Sequence, residues 1–468
     1  MDNNEKYLSL RRQYPVFEYE AYHYSEEPDG LHLWFDFRMG DIEFHPTAVV
    51  ERRPFLDFGT YIDDIVFNIG MVELVSYWKC ACPPTVKVLC GSLSDTQLAF
   101  WRKLYWHGLG EFFYTNGIDA SFDDYMHLNG YKTAGEQRGA WHQIQNTTKY
   151  LVPIGGGKDS VVTLELLRRA GRAVRPLIMN PRGATVECAA KAGFPIDEVL
   201  VIRRTIDPTL LNLNGETERD RTGANVHRYL NGHTPFSAML AFYTHLASVL
   251  SGIPNVALSN ESSANEPTVL VRDRSGANEN KWDSVNHQYS KSLEFENDFR
   301  AYCPSFNYFS FLRPLTELQI AMLFSRFTQY HDVFRSCNVG SKQDIWCGHC
   351  AKCLFAYIIL SPFIAPDRLN AIFGKSMLDD TTLEHEFMQL TGHAETKPFE
   401  CVGTVSEVNA ALSMAIERWY HDSRPALLKD YVVGAIPSAD TIHTIAAIGN
   451  LIPDERQILQ QACTEKTN

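Results

Sequence analysis

Gly155-Gly156-Gly157-Lys158-Asp159-Ser160 lies between two apolar segments. Before it, Tyr150 to Ile154 reads as a short strand. After it, Val161 to Ala170 carries Val162, Leu164, Leu166 and Leu167 and reads as a helix. A strand therefore ends, three glycines turn the chain, and a helix begins. Glycines let backbone N–H groups approach a ligand with no Cβ in the way. A helix N-terminus adds unpaired N–H donors and partial positive charge. The combination predicts a phosphate or pyrophosphate site. It is not a Walker A loop, because Lys158 is followed by Asp159 rather than Ser or Thr. It is not the G-x-G-x-x-G fingerprint of dinucleotide folds either, because the third glycine is missing.

The run resembles the Ser-Gly-Gly-x-Asp-Ser loop of the pyrophosphatase-type (PP-loop) ATP-binding fold, with Gly155 where that pattern has its first serine. Members of that superfamily cleave ATP between the α and β phosphates and adenylate a substrate. A glycine-rich turn without a ligand is the plain alternative.

Composition describes an acidic globular chain. Its 468 residues suggest two or three domains, at about 100–200 residues each. With 45% hydrophobic and 12% aromatic residues, it has enough apolar material for packed cores. A net charge of −13 argues against broad nucleic-acid binding. From Leu151 to Arg204, however, nine basic residues face five acidic ones, so the glycine loop sits in a locally basic segment. Arg168, Arg169, Arg172 and Arg175 also fit a plain solvated helix face. Met1 to Pro15 is polar, without the apolar stretch of a signal peptide, and Cys353 to Ala365 is too short to span a bilayer. We expect a cytoplasmic protein with free thiols and no membrane partner.

Four of the eleven cysteines cluster as Cys337-x9-Cys347-x2-Cys350-x2-Cys353. Closely spaced thiolates can converge on one ion, and four of them make a tetrahedral zinc site with no position open for catalysis. We expect structural Zn²⁺ there; redox or iron–sulfur use and simple buried thiols are the other readings. A similar cluster occurs in 7-cyano-7-deazaguanine synthase, of the same ATP-binding superfamily, where it holds structural zinc. Cys80, Cys82 and Cys90 lack a fourth partner nearby and read as core or surface residues.

The chain reads as three blocks. Residues 1–145 form an N-terminal α+β domain, with strands over 17–24, 31–38 and 42–50 and helices over 61–77 and 94–106. Residues 146–365 form an α/β domain ending in the cysteine cluster. Residues 366–468 are helical. In the middle block, apolar strands over 173–179, 199–202 and 256–258 alternate with helices, which predicts a parallel sheet with helices on both faces. Pro235 marks the first position of a helix. Thr316-Glu317-Leu318-Gln319 is a capping box, and Thr404 opens another helix with a Thr-x-x-Glu cap. Ligands in such sheets sit at the carboxyl ends of strands. The 155–160 loop, Asn180-Pro181-Arg182 and the polar run Ser259-Asn260-Glu261-Ser262-Ser263-Ala264-Asn265-Glu266 all lie there. The last reads as a pocket wall for nucleotide or magnesium, or as a polar turn with helix caps.

Phe-His-Pro-Thr at 44–47, the 155–160 loop, Gly232-His233-Thr234-Pro235-Phe236-Ser237, the 259–266 run and Cys347-Gly-His-Cys-Ala-Lys-Cys353 together resemble the bacterial UDP-N-acetylmuramoyl-L-alanyl-L-glutamate epimerases, the MurL family. The likeness runs from about residue 15 to 460. It implies an adenine-nucleotide-alpha-hydrolase-like fold and ATP-dependent inversion of the terminal L-glutamate of a peptidoglycan precursor. An α-proton beside a carboxylate is very weakly acidic, because its loss builds a second negative charge. An acyl-adenylate removes the first charge, so a base can take the proton. Reprotonation on the other face gives D-glutamate, and water releases AMP. Gly156, Gly157 and Ser160 would then hold pyrophosphate through their backbone donors, with Gly155 part of the same nucleotide-binding loop, and Lys158 would neutralise the phosphate charge. Asp159 would bind Mg²⁺. Asn180, Ser259, Asn260 and Glu261 would complete the nucleotide site. Candidate bases are Cys188, His227 and His233; each could equally be a packed or capping residue. A nucleotide-modifying ligase of the same superfamily, or a zinc-stapled ATP-binding module without turnover, are the other readings. Neither the oligomeric state nor the activated carboxylate is legible in the sequence, though the chemistry favours the α-carboxylate.

Overall fold

The computed structural model describes residues 2–131, 148–219, 224–270 and 284–465. It divides into two units, each assembled from separated stretches of chain. The first takes Met1–Gln145, Ile202–Ile253 and Leu270–Phe306; the second takes Asn146–Val201, Pro254–Val269 and Asn307–Asn468. The boundary expected at 145/146 falls outside the described residues. Residues 202–253 and 270–306, expected in the middle block, pack with the first unit instead, and the helical C-terminal stretch packs with the second.

In the second unit, strand–helix alternation builds a parallel sheet. The strands lie in the order Asn307–Ser310, Asn255–Leu258, Lys149–Pro153, Ala173–Met179, with Leu200 and Val201 of the next strand beyond. The first three of these neighbouring pairs all run parallel. Tyr150 to Pro153 are all buried, as a strand covered on both faces requires. The helix Lys158–Arg169 makes the crossover from Lys149–Pro153 to Ala173–Met179. From Lys149–Pro153 the sheet grows one way through Ala173–Met179, whereas the later strands add on the other side. This reversal of strand order leaves a crevice at the carboxyl ends, where open α/β sheets bind ligands. The 155–160 loop and the 259–266 segment both leave the sheet at that reversal. The helices Glu317–Ser325, Ala351–Leu360, Val405–Trp419 and Pro453–Thr464 share one apolar core with these strands. Thr316 and Thr404 open their helices with complete capping boxes.

The first unit carries a mixed sheet. Thr47–Glu51, Gly30–Met39 and Val16–Glu27 pair antiparallel, and Thr85–Ser92 and His127–Tyr131 continue in parallel from Val16–Glu27. The single strand expected over 42–50 is two, Ile42–Phe44 and Thr47–Glu51. Pro46, which has no N–H to give a ladder, separates them. The helix Asp63–Trp78 is buried from Ile65 to Trp78 on all faces. It includes Glu73, whose carboxylate accepts from Arg204 (2.6 Å) and from the Tyr243 hydroxyl (3.0 Å). Pairing makes that buried charge tolerable. The helix after Thr234 starts at Phe236, with Pro235 in the cap position rather than in the first turn. Among the described residues no helix is long and apolar enough to cross a membrane.

Candidate functional site

The glycine loop leads straight into a helix N-terminus, the geometry at which backbone N–H groups can receive an anion. Gly157 caps the helix Lys158–Arg169 and, having no side chain, leaves its first turn without a side-chain oxygen. Ser94 on Asp95–Gly108 and Ser292 on Leu293–Tyr302 do supply one, whereas Asp63–Trp78 and Phe236–Ser251 also begin without a side-chain cap. Gly156 has φ +82°, and a Cβ there would sit 3.0 Å from the Ala184 Cβ. A Cβ on Gly155 would meet open space. Gly156→Ala is therefore expected to destabilise by about 1–2 kcal/mol, whereas Gly155→Ser leaves stability unchanged; paired thermal melts check both. The serine missing from the loop pattern costs the fold nothing.

Lys158 follows, buried, its ammonium paired with both Asp159 and Glu317. Burial works to lower its pKa, but the two carboxylates outweigh burial and hold it above the ordinary lysine range. Glu317 is buried too, and burial pushes its carboxyl up against the pull of Lys158. Asp159 and Glu261, like charges nearby, push in the same upward direction. Glu407 accepts from the Glu317 amide (2.7 Å) and from the Thr404 amide (2.7 Å), and burial raises its carboxyl as well. Lys397 is lowered by burial and opposed by Glu266, Glu407 and Glu261. So five carboxylates, Asp159, Glu261, Glu266, Glu317 and Glu407, interact with three lysines, Lys158, Lys352 and Lys397. That is an environment for an anion carried with a divalent cation.

The polar run closes the other side of the reversal. The Ser259 hydroxyl donates to Thr163 Oγ1 (2.8 Å), and Asn260 Nδ2 donates to Ser310 Oγ (3.0 Å). The buried Arg313 donates to the Glu261 carbonyl (2.7 Å). These side chains brace the segment; Ser262–Asn265 forms a single 3₁₀ turn. Asn180 ends its strand at φ +52° and is exposed. Glu317, Glu407 and Lys397 were not singled out from sequence. The capping box placed Glu317 in a first helical turn but could not show that its side chain meets a lysine 159 positions away.

The three candidate bases are divided between the two units. Cys188 is buried in the second unit with its thiol 3.8 Å from the Gly156 carbonyl, and burial pushes it up to about 12. His227 is exposed in the first unit, its carbonyl accepting from Lys6 (2.5 Å). His233, also in the first unit, lies 3.0 Å from a Glu111 oxygen, and burial pushes it down to about 4.

The four clustered cysteines do converge. Sulfur–sulfur distances are 3.5 Å for Cys350–Cys353, 3.7 Å for Cys347–Cys353 and 3.9 Å for Cys337–Cys350. A disulfide needs about 2.05 Å. A tetrahedral zinc with ~2.3 Å bonds to sulfur spaces its ligands about 3.8 Å apart, so the thiols fit that ion. Gly348, at φ +73°, makes the Cys347–Cys350 turn. The Gly340 amide donates to Cys337 Sγ (3.1 Å). Cys350 occupies the cap of the helix Ala351–Leu360. Hydrogen bonding from Cys353 holds its thiol down to about 5, against burial.

Comparison with known proteins covers most of the chain. A family model described as the MurL N-terminal domain matches residues 9–311, and one described as the MurL C-terminal domain matches 333–440. A UDP-N-acetyl-alpha-D-muramoyl-L-alanyl-L-glutamate epimerase of Xanthomonas oryzae pv. oryzae is 33% identical over 427 residues, 87% of each chain. Proteins of the same name from Salinispora tropica and a Micromonospora species are 35% and 34% identical. They align over 80% and 79% of this chain and 79% and 78% of their own.

Proposed function

The chain belongs to the MurL family, and from that premise we propose how an epimerase of UDP-N-acetylmuramoyl-L-alanyl-L-glutamate is built on this fold. The protein is such an epimerase, inverting the terminal L-glutamate of its substrate. In our reading it belongs to the PP-loop superfamily and spends ATP to make the α-proton removable. ATP supplies the adenylyl group that converts the glutamate α-carboxylate to a mixed anhydride, with pyrophosphate as leaving group. The bare first turn of the helix Lys158–Arg169, beside a buried lysine held by two acids, carries this reading. Backbone donors of Gly156, Gly157 and Ser160 receive the pyrophosphate, and Lys158 neutralises it as charge builds. Asp159, supported by Glu317 and Glu261, holds Mg²⁺. Ser259 and Asn260 shape the nucleotide side of the crevice. Loss of the carboxylate charge lowers the barrier to deprotonation; reprotonation from the opposite face and hydrolysis then release the inverted glutamate and AMP.

Zn²⁺ on Cys337, Cys347, Cys350 and Cys353 is structural in this reading. All eleven cysteines are free thiols, which suits a reducing cytoplasm.

The deciding measurement is made in D₂O with ATP, Mg²⁺ and the UDP-linked dipeptide. Deuterium should enter the glutamate α-position, and AMP should appear with the D-product. Without ATP neither should occur; inversion in the absence of nucleotide would sink the adenylate mechanism while leaving the epimerase activity standing.

A further inference from the structure

A second constellation lies wholly within the first unit. Glu111 stands in the first turn of the helix Gly110–Thr115, His233 in the loop before the helix Phe236–Ser251, and His287 just past the strand Ser284–Val285. Their sequence separations exceed 50 residues, yet one ligand atom from each lies within 4.8 Å of the others. Glu111 Oε2 faces both imidazoles, 3.0 Å from His233 Nδ1 and in contact with His287 Nδ1. The two rings are tilted by 58°, with centroids 4.8 Å apart. All three side chains are mostly buried, between 12% and 19% exposed.

The backbone here is held in place. The Lys79 ammonium donates to the Gly232 carbonyl and the Thr234 hydroxyl, on either side of His233. Asn116 Nδ2 donates to the Asn231 carbonyl (3.1 Å). The imidazole is thus presented from a braced loop rather than from a free one.

We infer that Glu111, His233 and His287 form a second metal centre, for a divalent ion of the zinc class, separate from the four-cysteine site. Two imidazole nitrogens and one carboxylate oxygen are the donors such an ion prefers over Mg²⁺ or Ca²⁺. Among the described residues three protein ligands converge, and a zinc held by three leaves its fourth position to an outside ligand, the pattern of reactive rather than scaffolding zinc sites. Lys79 and Lys291 add positive charge around His233. An anionic oxygen, from a carboxylate or a phosphate, is therefore the ligand that the open position would take. The inference rests on the first unit alone and does not depend on the ATP reading.

The test is metal stoichiometry on the full-length chain. Wild type and the double variant His233→Ala/His287→Ala are equilibrated with Zn²⁺, freed of loose ion by dialysis, and assayed for zinc per chain by mass spectrometry. The variant should carry one equivalent less at unchanged circular dichroism. With Co²⁺ in place of zinc, it should lose the weak visible bands of a nitrogen–oxygen site and keep the intense thiolate bands of the cysteine site. Glu111→Gln, which preserves shape, should weaken Zn²⁺ binding at this centre at least tenfold, and it decides the matter if the double variant fails to fold. Equal zinc content and affinity in wild type and Glu111→Gln would overturn the proposal.

Discussion

Asp159→Asn is expected to abolish AMP release while the protein still folds. The side chain is 30% exposed and shares the Lys158 ammonium with Glu317, which is 3% exposed. Asn keeps the shape and removes only the charge, and Lys158 retains its deeper partner. Lys158 is itself buried, so the stability cost exceeds that of a surface pair, but with Glu317 still paired to the ammonium it stays below the roughly 3–5 kcal/mol of breaking a buried pair outright. The catalytic cost is larger. Removing one group that stabilises developing charge typically lowers kcat by roughly 10²–10³, or about 3–4 kcal/mol. Loss of a metal ligand adds to that. The two magnitudes separate the outcomes: a thermal melt within a few degrees of wild type, with AMP formation down at least a hundredfold. Glu317→Gln provides the contrast. Its carboxyl is fully buried, so its loss should lower the melting temperature as well as the rate. An Asp159→Asn enzyme that releases AMP at the normal rate would remove Asp159 from the magnesium role.

Much of the second unit could be read from the chain, because its signals are local. Three glycines between an apolar run and an amphipathic helix can do little but turn, and the helix begins at Lys158, where the glycines end. Thr316 and Thr404 act through residues three positions away, so their caps are legible too. The cysteine spacing announces convergence for the same reason. What was not legible depends on long-range packing. Glu317 reads as a first-turn acid, and nothing within a turn of it points to Lys158. Glu111, His233 and His287 are polar residues scattered along the chain until the fold gathers them. The packing of residues 202–253 and 270–306 with the N-terminal sheet has no local signal either. These segments carry the same apolar and aromatic side chains that any core would use. For example, Trp101 stacks on Phe242 with centroids 4.9 Å apart, two residues that sequence alone cannot pair. The strand expected over 42–50 is split at Pro46, whose missing N–H is a local signal against a continuous ladder.

If the four thiols hold the proposed zinc, Cys350→Ser should cost the second unit that ion and a large part of its stability. Cys350 makes the closest sulfur contact in the cluster and sits at a helix N-terminus, where the partial positive charge favours the thiolate. A serine hydroxyl stays protonated at neutral pH and is a poor ligand. Structural zinc contributes an apparent ~10–16 kcal/mol in small zinc-dependent folds. The second unit has its own large core, running from Tyr150 to Cys463, so it should not depend on the ion for folding outright. The expected result is a folded chain with a clearly lowered melting temperature and greater proteolytic sensitivity around 337–353. Zinc per chain should fall by one equivalent. If the Glu111, His233 and His287 centre is also filled, one equivalent should remain, bound without thiolate bands when cobalt replaces zinc. An unchanged melting temperature and unchanged zinc content in Cys350→Ser would show that the four thiols are packed side chains and that the ion belongs elsewhere.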